Sequence, residues 1–117
     1  MLTQWLPQAG APARVPLLDL AALHARYPGN PGLVSELEAV FLSTTETSLA
    51  ALKRAIEQGQ ADACRKEAHA LKGAAASVMA RAIQAGAARI EASVQRGDFA
   101  TAADELAALE DVFHAAA

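Results

Sequence analysis

The stretch KEAHALKGAAASVMA, residues 66–80, combines a strong helical pattern with one residue that opposes a helix. Small and apolar side chains recur here every three or four residues, which places them on one face of an α-helix. The same spacing extends back to residue 61, so the positions on that face are Ala61, Cys64, Ala68, Leu71, Ala75 and Val78. Gly73 interrupts the pattern, although glycine in a helix interior costs about 1 kcal/mol relative to alanine. The stretch therefore predicts a one-faced helix that keeps Gly73 for a reason other than helix stability.

Three other segments show the same periodicity and predict three more long helices. Their apolar positions are Val34, Leu37, Phe41, Thr45, Leu49, Leu52 and Ile56 in the second predicted helix, Ile83, Ala87, Ile90 and Val94 in the fourth, and Phe99, Ala102, Ala103, Leu106, Leu109 and Phe113 in the fifth. Alternation at period two, which is typical of strands, is absent. A shorter helix is predicted at residues 17–26.

Turn residues divide these helices from one another. The sequence YPGNPG, residues 27–32, separates the first two helices, and Gly59 and Gly97 close the second and the fourth. Asp62 is a candidate start for the third helix, and Asp98 or Thr101 for the fifth. The third helix is expected to end near Met79 and Ala80. Short connections make consecutive helices antiparallel neighbours, so the sequence predicts an all-α fold, an antiparallel up-down four-helix bundle with a short additional N-terminal helix.

Length and composition set the broad class. The chain has 117 residues, enough for one domain, which we place at residues 17–117 after an N-terminal tail or linker at residues 1–16. The net charge of −3 provides no basic surface for nucleic acid. No apolar run reaches the roughly 18 residues of a membrane helix, so no membrane insertion is expected. The single Cys64, predicted to be buried, excludes an internal disulfide, and a cytoplasmic location is expected.

His69 is expected to face solvent, because at 100° per residue it lies about 130° from the centre of the apolar face. Arg65, Lys72, Gly73 and Ala76 fall on the same exposed surface. The imidazole of an exposed histidine is largely neutral at pH 7, so a ring nitrogen is free to act as a nucleophile. Lys72 and Arg65 can place positive charge beside a phosphoryl group on that nitrogen. The small residues Gly73 and Ala76 leave room for a partner protein to approach.

The run AHALKGAAASVMA, residues 68–80, resembles the signature of histidine-containing phosphotransfer (HPt) domains of multistep phosphorelays. The resemblance implies that His69 is the phosphoacceptor, that Lys72 helps to hold the phosphoryl group, and that Gly73 gives clearance to a docking receiver domain. Glu91 stands where some members of the family have a polar residue that orients the imidazole. Met79 departs from the pattern, because the family usually has glycine there. Either the third helix is then expected to run on, or the turn is expected to use another geometry.

The resemblance also implies the reaction and its partners. A phosphorylated receiver aspartate, with Mg²⁺ bound on the receiver, would present the phosphoryl group to a ring nitrogen of His69, expected to be Nε2. No cofactor is expected on this chain, which the resemblance implies is a monomer. The receivers would belong to a hybrid sensor histidine kinase and to a downstream regulator. Because the sequence has neither a GxxxxGK[ST] loop nor a glycine-rich kinase loop, it is not expected to use ATP or to phosphorylate itself.

Two other classes of function are alternatives for a helical bundle that carries histidines. A di-iron centre in a helical bundle needs inward-facing Glu-x-x-His pairs, but Glu67 precedes His69 by only two residues, so no metal site is predicted. A non-phosphorylated helical adaptor or dimerisation module that binds receivers would keep the docking face and dispense with the chemistry of His69. The segment GAPARVP, residues 10–16, would suit an interdomain linker, so a free-standing protein and a module of a hybrid kinase both stay open.

Overall fold

The computed structural model of the chain describes residues 17–116, which form five α-helices without a strand. They are α1 (Leu20–Arg26), α2 (Pro31–Glu57), α3 (Ala61–Ser77), α4 (Arg81–Gln95) and α5 (Phe99–Ala116). Within this range no helix is both long and apolar enough to cross a bilayer. The predicted tail at residues 1–16 lies outside the described residues.

Helices α2 to α5 form a closed ring of neighbours. Each packs closely against the next along the chain and α2 also packs against α5, whereas in the diagonal pairs α2–α4 and α3–α5 no two Cα atoms lie within 8 Å of each other. The connectors at residues 58–60, 78–80 and 96–98 are too short for anything but antiparallel neighbours. The short α1 packs against α2. The predicted four-helix bundle with an additional N-terminal helix is therefore confirmed.

The core is built from the apolar faces that the periodicity predicts. The long helices bury Phe41, Leu52, Leu71, Ile90 and Leu106, among others, and the core is mostly aliphatic. Two positions depart from the prediction, because Ala61 and Ala103 are exposed. Ala61 is the first residue of α3, and Ala103 lies about 100° around α5 from its buried neighbour Ala102.

Cys64 is completely buried in α3, as predicted. Removal from water raises the pKa of its thiol, so the residue behaves as a small apolar side chain.

The three connectors between the long helices share one backbone geometry. In each, the middle residue has a positive φ, 64° at Gly59, 58° at Met79 and 74° at Gly97. In each, the following amide N–H donates to a carbonyl five residues earlier, as Ala80 does to Ala75 at 2.8 Å. Left-handed residues and such hydrogen bonds close helices in the Schellman motif. Met79 thus takes the conformation that glycine takes in the other two turns, and α3 neither runs on nor turns by another geometry; it ends at Ser77.

Replacing Met79 by glycine is expected to stabilise the fold, by up to about 1 kcal/mol. The left-handed conformation costs a residue with a Cβ roughly 1–2 kcal/mol, and the greater freedom of glycine in the unfolded chain offsets part of the gain. Urea unfolding of the variant measures the effect. Gly97→Ala is the matched control, since it places a Cβ at the equivalent position of the next connector and is expected to destabilise. A loss of stability in Met79→Gly would contradict the account of this turn.

Two of the predicted helix starts differ from the structure. Helix α1 begins at Leu20 rather than Leu17, because Asp19 caps it by accepting a hydrogen bond from the amide of Ala22 at 3.0 Å. Helix α3 begins at Ala61, so Asp62 lies in its first turn rather than before it. Asp98 is the residue that caps α5, accepting hydrogen bonds from the amide and the hydroxyl of Thr101.

Asp19 also attaches α1 to the connector between α3 and α4. Its amide donates to the carbonyl of Met79 at 3.2 Å, and its carboxylate accepts from Arg81 at 3.2 Å. The amide of Ala22 and the guanidinium of Arg81 lower the pKa of the Asp19 carboxyl. The carboxylate is therefore charged at neutral pH and holds the N-terminal end of the domain against the end of α3.

Candidate functional site

His69 lies near the middle of α3, on the face turned away from the core. Its side chain is 70% exposed, whereas Ala68 and Leu71 beside it are buried. The orientation follows from the helical repeat, because Ala68, Leu71 and Ala75 fix which side of α3 faces inward. The ring is therefore open to a second protein along most of its surface.

Glu91 on α4 contacts the ring of His69. One carboxylate oxygen, Oε2, lies 3.1 Å from Nδ1 of His69, and the other, Oε1, accepts a hydrogen bond from Nζ of Lys72 at 2.8 Å. Only 14% of the Glu91 side chain is exposed, against 33% for Lys72. A single carboxylate at the α3–α4 interface therefore joins the two polar side chains that α3 presents beside it.

The charge of Glu91 determines which ring nitrogen of His69 carries the proton. Hydrogen bonding from Lys72 lowers the pKa of the Glu91 carboxyl, with a smaller lowering from His69, while partial burial opposes both. An ionised carboxylate can only accept hydrogen bonds, so Nδ1 must donate its hydrogen to Oε2. In a neutral imidazole the other nitrogen, Nε2, then has a free lone pair. Nε2 has no hydrogen-bond partner among the described residues.

Arg65 lies apart from this cluster. Its guanidinium donates to the carboxylate of Asp62 at 3.1 Å, one turn earlier on α3, and both side chains are well exposed. The structure thus joins His69, Lys72 and Glu91, and leaves Arg65 in an exposed ion pair of its own. Such a pair contributes at most about 1 kcal/mol, so the guanidinium can exchange Asp62 for another anion.

Gly73 and Ala76 are both exposed on α3, beyond Lys72. A Cβ built on Gly73 would meet no atom within 4 Å outside its own helix backbone and chain neighbours. Packing inside the domain therefore gives no reason for a glycine at this position. The contrast is Gly86 on α4, where a Cβ would lie 2.6 Å from a methyl carbon of Leu109 on α5.

The contact between Lys72 and Glu91 is the part of the site that sequence reasoning missed. The sequence places Lys72 beside the phosphoryl group and Glu91 beside the imidazole, and it predicts no contact between the two. The positions are 19 residues apart and belong to different helices. One feature of the sequence does point to the contact, because Lys72 and Glu91 each flank the apolar face of their helix. When two helices pack by their apolar faces, the residues that flank those faces come together at the edge of the interface.

The remaining histidines do not form a second site. His24 on α1 and His114 on α5 are exposed, and neither contacts a carboxylate among the described residues. Over the same part of the chain, no three His, Cys, Asp or Glu side chains are grouped so that they could hold a metal ion.

Comparison with known families gives one match. A family model described as Hpt domain matches residues 36–117, which include most of α2 and all of α3, α4 and α5. The matched region contains every residue of the cluster at His69. Comparisons with curated proteins and with solved structures returned no match.

Proposed function

The chain belongs to the Hpt domain family, whose members act in phosphorelays and interact with receiver domains, and on this premise we propose that it carries the phosphoryl group on His69. The observation that supports this most directly is the 3.1 Å contact between Nδ1 of His69 and Glu91. It directs the ring proton to Nδ1 and leaves the lone pair of Nε2 for attack on phosphorus.

Acceptance of the phosphoryl group is a displacement at phosphorus. The lone pair of Nε2 forms the N–P bond while the P–O bond to the receiver aspartate breaks, and the electron pair of that bond returns to the aspartate carboxylate. Throughout the step, Nδ1 keeps its hydrogen and donates it in the hydrogen bond to Glu91. Phosphoryl transfer depends chiefly on in-line positioning and on charge neutralisation. The exposed ring can be aligned with the phosphorus atom by a docked partner, and Mg²⁺ bound on the receiver domain would neutralise part of the phosphoryl charge.

Lys72 supplies positive charge from this chain. Its ammonium has three donors on a flexible stem, and only one of them is used by Glu91 at 2.8 Å. Because the stem is flexible, the ammonium can turn to a phosphoryl group on a ring that lies three residues earlier on the same helix. Arg65, one turn before His69, could add a second cation once it leaves Asp62.

The small surface beyond the ring is suited to docking. Gly73 and Ala76 present no long side chain where a receiver domain must bring its aspartate within reach of Nε2. We expect receivers of a hybrid sensor histidine kinase and of a downstream regulator as partners, and we expect this chain to act as a cytoplasmic monomer. Mg²⁺ is expected on the receiver, and no cofactor or ATP is expected on this chain.

Transfer from phosphorylated receivers tests the proposal. A panel of receiver domains, each phosphorylated in advance, is mixed with the protein, and label on the protein is tested for the acid-labile, base-stable behaviour of phosphohistidine. The expected result is rapid labelling from at least one receiver. Receivers that bind without transferring label would contradict the proposal and favour the adaptor function instead.

A further inference from the structure

Glu91 has two partners that can both be positively charged, although it provides a single negative charge. Oε1 holds the ammonium of Lys72 at 2.8 Å, and Oε2 lies 3.1 Å from Nδ1 of His69. We propose that Glu91 changes its positively charged partner when His69 is phosphorylated. Before phosphorylation the partner is the ammonium of Lys72, and afterwards it is the protonated ring of His69. The inference rests on the function proposed above and concerns what happens once the phosphoryl group is on the ring.

Before phosphorylation the cluster is balanced. The charges of Lys72 and Glu91 offset each other, and the form of the His69 ring that attacks phosphorus adds no further charge and holds its hydrogen on Nδ1. The 2.8 Å pair neutralises most of the field that Glu91 exerts on the ring. The neutral form of the ring is the one that can attack phosphorus.

Phosphorylation adds about two negative charges and several strong acceptor oxygens beside Lys72. Lys72 is already partly exposed and lies on the same face of α3 as the ring, so its ammonium can turn to the phosphoryl oxygens without any movement of the helix. Glu91 then loses its counter-ion. Because only 14% of its side chain is exposed, water compensates that loss poorly, and its remaining contact is the ring of His69, which is a cation when it is protonated at Nδ1.

The protonated ring is the form that releases the phosphoryl group. When a receiver carboxylate attacks phosphorus, the N–P bond breaks and its electron pair returns to Nε2. If Nδ1 holds its proton, the leaving group is a neutral imidazole, whereas without that proton it would be an imidazolate anion. Holding the proton on Nδ1 therefore favours onward transfer. One carboxylate thereby assists both steps, as an acceptor from the neutral ring and then as the counter-ion of the charged ring.

The other charged groups nearby do not account for this effect. On α3 itself, Lys72 pairs with Glu91 and Arg65 is bound to Asp62, while Lys66 and Glu67 make no hydrogen bond or ion pair with the cluster among the described residues. On α4, the group that faces the ring is Glu91. Helix α2, which also packs on α3, contributes no charged side chain in a hydrogen bond or ion pair with the cluster among the described residues.

Ring protonation can be measured directly by ¹⁵N NMR on the protein before and after chemical phosphorylation with phosphoramidate. The measured quantity is the pH at which half of the rings have lost the Nδ1 proton, compared between the wild type and Glu91→Gln. We expect Glu91 to raise this midpoint by about 0.5–1 pH unit more in the phosphorylated protein than in the free protein. In a Lys72→Gln background, the effect of Glu91 should be equal in the two states, because no counter-ion is left to exchange.

The matched control is Glu110→Gln, the same change on α5, the helix diagonally opposite α3. It should leave both midpoints at the wild-type values. An effect of Glu91 that is the same before and after phosphorylation, with Lys72 present, would overturn the exchange even if receivers transfer label normally. Transfer from the chemically phosphorylated protein to receivers is followed in parallel. If no receiver accepts the group while the midpoints behave as expected, the proposed relay function fails and the exchange stands.

Discussion

The variant His69→Gln is expected to accept no phosphoryl group from any receiver that labels the wild type, while its free energy of unfolding changes by less than about 0.5 kcal/mol. The loss is complete because glutamine has no nucleophilic ring nitrogen. Stability is kept because the replaced side chain is 70% exposed and Glu91 retains Lys72 as its partner. Labelling from phosphorylated receivers and urea unfolding measure the two quantities.

His114→Gln is the matched control, because His114 is another exposed histidine, placed on α5 away from the cluster. It is expected to be labelled at the wild-type rate. If His69→Gln were labelled at the wild-type rate, the phosphoacceptor would have to be another residue. A large loss of stability in that variant would mean that the ring packs into the fold.

Changes at Gly73 are expected to move stability and transfer in opposite directions. Gly73→Ala should stabilise the protein by up to about 1 kcal/mol, because alanine favours the helix and its Cβ meets no atom within 4 Å. Gly73→Leu should also fold normally, but it should slow transfer from receivers by about tenfold or more, because a docked partner would meet the added side chain. A tenfold change corresponds to about 1.4 kcal/mol of lost docking or transition-state interaction.

A small phosphodonor separates docking from chemistry in this experiment. Phosphoramidate needs no protein docking, so it should phosphorylate Gly73→Leu at nearly the wild-type rate. Ala107→Leu, which places the same leucine side chain on the exposed face of α5, should alter neither rate. Unchanged transfer from receivers to Gly73→Leu would remove clearance as the reason for this glycine.

The helices and the exposure of His69 could be predicted because both depend on local periodicity. Leu71 and Ala75 fall on the buried side of α3 by spacing alone, and that spacing turns His69 outward. The turn at Met79 could not be predicted, because methionine carries no signal for a positive φ and the geometry is imposed by the antiparallel packing of α3 and α4.

The contact between Lys72 and Glu91 depends on tertiary packing rather than on spacing. Its 2.8 Å length is set by how closely α3 and α4 approach and by their relative shift along the axis. A single sequence places both residues beside an apolar face but fixes neither quantity. By contrast, the ion pair of Arg65 with Asp62 can be predicted from spacing, because the two residues are three apart on one helix. The bond between α3 and α4 cannot be predicted in that way.

The diagonal position of α5 has a practical consequence for observing the relay. Because α5 lies diagonally opposite α3 in the bundle, its outer surface faces away from the helix that carries His69. Asp111 is exposed there, and a cysteine introduced at that position would react with a fluorophore while the native Cys64 stays buried. Binding of a receiver could then be followed in real time, because the labelled protein tumbles more slowly in the complex. The label would leave the residues around His69 unchanged.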